Sequence, residues 1–201
     1  MSGVSIGQPA PGFRLPAAQG AEVALEDFRG RKNVLVWFTK GMGCVFFRQH
    51  MSQLARIYPE LQKRNTEVLE VTPSTIERGR QYAQKYRLPF PYLCDADDGV
   101  RRAWGLGIRR HGPLWYAQAM KVAMTAPAAL KENDFGQGAP PLGEMLTMMR
   151  DDDAGLYLVD RAGIVRYGYA AAYLDPGRGS AVVRPLPPTD ELLREVERCA
   201  A

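Results

Sequence analysis

The sequence predicts an α/β domain: a mixed central β-sheet with helices on both faces, an N-terminal hairpin, and a helical and loop insertion before a C-terminal hairpin. Three observations predict it. A continuous apolar run, "NVLVWF" (33–38), and a β-branched-rich stretch, "TEVLEVT" (66–72), which reads as the next buried strand, are each followed by a stretch with helical periodicity. Such runs suit strands buried on both faces. Two short strands flank Asp160-Arg161-Ala162-Gly163, which has the form of a hairpin turn. Strand, helix, strand, helix, then a hairpin and a last helix, is the order of a mixed sheet covered on both sides.

Each element has its own warrant. Phe13 and Leu15, then Val23 and Leu25, bracket "AAQGAE" and read as a short hairpin. After "NVLVWF" the loop "TKGMG" carries two glycines, and apolar residues then recur at Phe47, Met51, Leu54, Ala55, Tyr58 and Leu61. Spacings of three and four mark one helix face. Pro59 inside that pattern is expected to kink the helix or start a second one. "STIERGRQYAQKY" opens with Ser74 and Glu77 at capping-box spacing. Pro89 and Pro91 end that helix before the run "YLC", and "DADDGVRRAWGL" reads as a turn into a brief helix.

Residues 105–153 break the rhythm and read as an insertion within one domain spanning 1–201. "PLWYAQAMKVAM" (113–124) is apolar almost all round, so as a helix it is buried or lies at an interface. Five of the eight methionines fall in this insertion, which suits packing filler, with a lid or dimer surface as the sharper alternative. "KENDFGQGAPPLG" reads as loop. Strands at 156–159 and 164–169 follow, then a Pro- and Gly-rich stretch. A helix starts at Thr189 with Asp190 and Glu191 in its first turn.

Composition narrows the function classes. Hydrophobic residues make up 46% and charged residues 24%, which provides one core without staples. A net charge of +4 with no long run of like charge speaks against nucleic-acid or membrane-surface binding. No secretory leader or membrane-spanning segment is read, and three cysteines without regular spacing suit a reducing compartment, so the expected location is cytoplasmic. Two histidines and three cysteines, all scattered, give no zinc spacing, and Asp151–Asp152–Asp153 reads as a solvated acidic turn. His50 reads as a surface or core residue and His111 as part of a loop. Nucleotide-binding fingerprints and a nucleophile elbow are missing. Trp104 and Trp115 read as core or interface, since no basic groove surrounds them.

Cys44 is where chemistry is expected. It lies between a buried strand and a helix, where backbone N–H groups have no intrahelical partner and the helix dipole favours thiolate over thiol. Gly41 and Gly43 let the backbone turn tightly and leave the sulfur open. Arg48, four residues on, shares the helix face and adds positive charge, as does Lys40 in the loop. Cys94 reads as packing and Cys199 as a tolerated thiol near the chain end, although either is a candidate to resolve an oxidised Cys44.

With these stretches in order, the chain resembles the peroxiredoxin-like branch of the thioredoxin-fold superfamily, the alkyl hydroperoxide reductase/thiol-specific antioxidant type. The segments that carry the likeness are "IGQPAPGFRL", "LEDFRGRKNVLVWF", "VLEVTPSTIERGRQYAQKYRLPFPYLCDADDGVRRAWGL" and "AGLYLVDRAGIVRY". The resemblance implies a thioredoxin-like fold and makes Cys44 the peroxidatic cysteine, which attacks a peroxide and becomes a sulfenic acid. The chain departs from the family pattern where Trp37 replaces a proline, Gly41 a threonine or serine, and Ala154 an arginine. The second cysteine of a C-x-x-C arrangement is replaced by Phe47. Thr39, Lys40, Arg48 and Arg150 are candidates to replace the lost polar contacts. The implied activity is a thiol oxidoreductase that reduces hydroperoxides through Cys44 alone, supported by Arg48 and Thr39. An external thiol completes the cycle, with a small thiol or disulfide as the other substrate class and no metal or organic cofactor. The alternative is a non-catalytic or redox-sensing binding module with an apolar partner or homodimer surface at 113–124.

Overall fold

The computed structural model describes residues 4–109, 112–136, 151–170 and 186–200. His111, Arg150, the middle of the insertion and the Pro- and Gly-rich stretch before the last helix lie outside the described residues.

The N-terminal hairpin forms as expected from β1 (Arg14–Pro16) and β2 (Glu22–Ala24), with Leu15 opposite Val23. The main sheet takes β3 (Asn33–Phe38), β4 (Thr66–Thr72), β5 (Tyr92–Cys94), β8 (Gly155–Val159) and β9 (Val165–Ala170) in the order β5-β4-β3-β8-β9. β3, β4 and β5 run parallel, while β8 runs antiparallel to β3 and pairs with β9 as the C-terminal hairpin. Every residue of β3 and of β4 is buried, which is the reason their sequences show no polar alternation.

The helices are α1 (Val45–Lys63), α2 (Ile76–Tyr86), α3 (Gly99–Ala103), α4 (Pro113–Thr125) and α5 (Thr189–Ala200). On one sheet face, Leu35, Trp37, Val68, Leu156 and Leu158 pack against Phe47, Met51 and Leu54 of α1 and Leu192 and Val196 of α5. On the other, Val34, Val36, Phe38, Leu69 and Val71 meet Trp104, Phe13, Leu15 and Leu25. The second face is therefore closed by the N-terminal segment and the short α3. Trp104 is a core residue, with its indole N–H donated to the Pro11 carbonyl at 3.1 Å.

Two local expectations are narrowed, at Pro59 and in 113–124, and two are corrected, at Ser74 and Asp151–Asp153. No second helix starts at Pro59: α1 continues through it, the exposed proline on the solvent side while Leu54, Ile57 and Leu61 hold the inner face. α2 is capped by Thr75, whose hydroxyl accepts the Arg78 amide; Ser74 is instead drawn under the Cys44 loop, 3.1 Å from the Tyr92 hydroxyl. Asp151 and Asp152 form a two-residue strand, β7, against β6 (Ile108–Arg109), and this pair ties the two ends of the insertion together. Asp153 is no solvated turn residue either: it accepts the Gly107 amide and offers its carbonyl to Arg101. In α4 the apolar residues divide, with Ala119 buried but Leu114 82%, Met124 74% and Met120 41% exposed. Among the described residues no helix is long and apolar enough to cross a membrane.

Candidate active site

β3 ends at Phe38, and the chain must turn sharply to start α1 on top of the sheet. Thr39 makes that turn rigid. Its amide donates to the Val71 carbonyl at 3.0 Å, which extends the parallel ladder by one bond. Its hydroxyl donates to Glu70 Oε1 at 2.9 Å and accepts the Gly41 amide at 2.8 Å. Its carbonyl accepts Arg101 Nη2 at 2.6 Å. Gly41 then adopts φ +79°, and a side chain there would run into the Tyr92 hydroxyl. Glycine is required on both counts. The Met42 amide donates to that same Tyr92 hydroxyl at 3.4 Å.

Cys44 emerges from this turn as the N-cap of α1, with φ −90° and ψ 118°. Its amide donates to the Gly41 carbonyl at 3.2 Å, and its carbonyl accepts the Arg48 amide at 3.1 Å, the first bond of the helix. The Cys44 side chain makes no cap hydrogen bond to the first-turn amides, and no acidic residue stands in that turn. The sulfur is thus carried at the positive end of a long helix, partly exposed and with its inner side against the core. The geometry offers an anionic sulfur amide dipoles without a competing carboxylate.

Arg48 lies where the spacing predicts, one turn into α1, but it is only 2% exposed. Its Nε donates to the Met42 carbonyl at 2.6 Å and Nη1 to the Gly136 carbonyl at 3.0 Å, with the guanidinium over the Tyr86 ring. It clamps the loop from the helix side. Thr39, fully buried, clamps it from the sheet side. Lys40 is partly exposed.

Three further residues belong to this site and were not singled out from sequence. Glu70 is fully buried directly below the turn, and burial pushes its carboxyl up from 4.5 to about 8 in spite of the Thr39 hydrogen bond. Tyr92 supports Met42, and burial together with the Glu70 charge raises its hydroxyl. Arg101, 1% exposed, donates to the carbonyls of Thr39 and Asp153 and so joins the Cys44 turn to the residue that precedes Ala154. Signals were present: a glutamate inside an otherwise apolar run, and an arginine pair on a helix too short to solvate both.

The other thiols stand apart. Cys94 ends β5 at the same edge of the sheet as Cys44, but its sulfur packs over Gly79 of α2, and burial pushes it up to about 11. Cys199 is likewise held at about 11, mainly by burial and then by Asp160. Val34 pairs with Val159 while Phe38 pairs with Gly155, so Asp160 marks the edge opposite the Cys44 turn. The length of β3, about 20 Å at ~3.3 Å per residue, separates the two ends. His50 is a core residue of α1, its ring 5.6 Å from Phe47 and 6.0 Å from Trp37. Among the described residues no group of three His, Cys, Asp or Glu side chains is placed to hold a metal ion.

Comparison with known proteins agrees with this geometry. The AhpC/TSA family profile matches residues 6–168. A putative peroxiredoxin bcp from Coxiella burnetii is 28% identical over 110 residues, covering 54% of this chain and 71% of that one. A chloroplastic peroxiredoxin Q from Gentiana triflora is 31% identical over 150 residues, covering 73% and 67%. The thiol-disulfide oxidoreductase ResA of Geobacillus thermodenitrificans is 33% identical over 105 residues, 52% of this chain and 59% of its own. Among solved structures, the peroxidoxin BcpB of Mycobacterium tuberculosis superposes with a TM-score of 0.59 at 14% identity, covering 97% of both chains, a likeness of fold. A five-stranded mixed sheet of this order, a cysteine at the start of its long first helix, and a profile match over most of the length make the chain a peroxiredoxin-like member of the AhpC/TSA family with the thioredoxin fold.

Proposed function

We propose that the protein is a thiol peroxidase in which Cys44 alone carries the redox chemistry. The observation that supports this most directly is the position of Cys44 as the N-cap of α1, partly exposed at the first turn of the helix. The Cys44 thiolate attacks one oxygen of a hydroperoxide, the O–O bond breaks, and the leaving alkoxide or hydroxide takes a proton to become alcohol or water. Sulfur is oxidised to sulfenic acid. An external thiol then condenses with the sulfenic acid, releasing water and forming a mixed disulfide. A second external thiol displaces Cys44 as a thiol and leaves as the oxidised disulfide. Cys94, packed over Gly79, and Cys199, associated with Asp160, are poor candidates for internal resolution, which favours the external reductant. A cycle of this kind fits a reducing compartment such as the cytoplasm.

In this proposal Arg48 and Thr39 are positioning residues: Thr39 bonds Glu70 and the Gly41 amide, and Arg48 bonds the carbonyls of Met42 and Gly136. The test is to mix purified protein with hydrogen peroxide at neutral pH and follow Cys44 by mass spectrometry, with Cys44→Ser as control. Cys44 is expected to oxidise much faster than free cysteine in the same buffer and to be restored by a small thiol. An oxidation rate equal to that of free cysteine overturns the proposal.

A second reading, a dimer surface on 113–124, has the exposure of Leu114 and Met124 in its favour. Replacing both with aspartate and measuring the mass in solution tests it. A mass that does not change removes that surface from consideration.

A further inference from the structure

Among the described residues, Glu70 has no exposed surface, and one of its two oxygens has no hydrogen-bond partner. The other, Oε1, accepts the Thr39 hydroxyl. An ionised carboxylate in that position is costly, because burial removes its water and only one hydrogen bond replaces it. The acid nevertheless sits where its partner is the residue that fixes the turn bearing Cys44.

The hydrogen bonds from Glu70 upward have a defined direction. The Thr39 hydroxyl has a single proton, and its oxygen already accepts the Gly41 amide, so the proton points to Glu70. The Gly41 carbonyl in turn accepts the Cys44 amide. When Glu70 is neutral, the Thr39 bond is an ordinary one. When it ionises, that bond becomes charge-assisted, shorter and stronger, and the Thr39 oxygen becomes a better acceptor for Gly41. We propose that Glu70 is a positioning residue for Cys44: its protonation state, passed through the Thr39 hydroxyl to the Gly41 amide, sets how the turn presents the thiol. This rests on the reading above that Cys44 is the reacting thiol, although it does not require that the oxidant be a peroxide.

Other groups around Glu70 bear on the same pH range. From β5, Tyr92 and Cys94 face it, and the Glu70 charge raises both. From α2, Glu77 and Arg80 act on Cys94. From α1, His50 lies against Trp37, the residue in register with Glu70 on β3. On the far side of Thr39, Arg101 holds its carbonyl. A pH effect therefore has to be assigned by substitution.

The experiment is the rate of Cys44 alkylation by iodoacetamide across pH, read by mass spectrometry on the Cys44 peptide, in wild type and Glu70→Gln. Glutamine imitates the neutral acid and still accepts from Thr39. The two proteins are expected to react alike on the acid side and to diverge through an inflection near pH 8 in the wild type. On the alkaline side the rates are expected to differ by about fivefold, the scale of exchanging a neutral for a charged hydrogen bond. Thr39→Ala and Thr39→Ser provide a second pair: alanine removes the relay and keeps only the ionisation of Cys44 itself, whereas serine keeps the Glu70 inflection as well. Profiles that coincide or stay parallel in wild type and Glu70→Gln overturn the proposal. If Glu70→Gln does not fold, a Thr39→Ala profile that keeps the same shape as the Thr39→Ser profile, beyond the ionisation of Cys44 that both share, overturns it. A Cys44 that shows the Glu70-dependent inflection but does not react with peroxide leaves this inference standing and removes the peroxidase reading alone.

Discussion

At the scale of single residues, the site depends on one short turn and the five side chains that hold it, Thr39, Arg48, Glu70, Tyr92 and Arg101. Thr39 engages both faces of the sheet, with Glu70 below its hydroxyl and Arg101 behind its carbonyl. The buried Arg101 charge is tolerated because the guanidinium is bonded to two carbonyls, lies 3.9 Å from Asp98 and stacks over Phe38. Gly41 is the point where a small change should matter most. Gly41→Ala forces a Cβ into a left-handed backbone and against the Tyr92 hydroxyl, which is fixed by Ser74 and cannot swing away freely. The expected result is a loss of about 1–3 kcal/mol in unfolding free energy and slower alkylation of Cys44. Tyr92→Phe in the same background should recover part of the loss by removing the hydroxyl. Chemical denaturation and alkylation rates check both statements, and an alanine variant indistinguishable from wild type in both would show that the turn is less constrained than its geometry indicates.

At the scale of elements, the sequence was most legible where burial is uniform or strictly periodic. "NVLVWF" announced β3 because a strand covered on both faces has little room for polar residues, "TEVLEVT" announced β4 through its β-branched residues in spite of two glutamates, and Asp160 to Gly163 announced the β8–β9 hairpin. The stripe from Phe47 to Leu61 announced α1 for a similar reason. What was missed depends on contacts between segments distant in sequence. Ser74 looked like a cap until Tyr92 competed for it, and the β6–β7 pair joins segments more than forty residues apart. Pro59 is a case where tertiary packing overrides local preference: the apolar face of α1 holds the helix together across a residue that donates no hydrogen bond. Pro59→Ala restores that donor and relieves the ring against the preceding turn. It is expected to raise unfolding free energy by about 1–3 kcal/mol with no change at Cys44, because the proline is exposed and lies four turns along the helix. Thermal or urea unfolding measures it, and a destabilised variant would mean that the proline sets a bend the packing needs.

At the scale of the whole molecule, Cys44 could be found from its place in the chain, but its support could not. A strand, a glycine loop and a helix start are local and therefore readable. Glu70 and Arg101 act through Thr39 from strands and helices thirty and more residues away, and a lone charged residue in a run says nothing about its partner. Glu70 also gives the fold a pH dependence with a definite sign. Its folded-state pKa is raised by burial from 4.5 to about 8, so between those values the folded protein holds a proton that the unfolded chain has lost. The Glu70 contribution to stability is thus fully present below 4.5, declines as pH rises toward about 8, and is flat beyond. At about 1.4 kcal/mol per pH unit the ceiling on this loss is about 5 kcal/mol, which water entering the core and local relaxation would reduce. Glu60, Glu77, Asp134 and Asp160 are lowered in the fold and titrate below this window, whereas Asp95 is raised mainly by burial, so the comparison with Glu70→Gln is what assigns the effect to Glu70. Glu70→Gln carries no proton to lose. Urea unfolding of the two proteins should therefore give free energies that converge at the acid end and separate steadily toward pH 8, with the glutamine variant the more stable there. A constant offset across the window would mean that Glu70 is ionised in the folded protein throughout, and that the core beneath the Cys44 turn accommodates a charge for which the structure provides a single hydrogen bond.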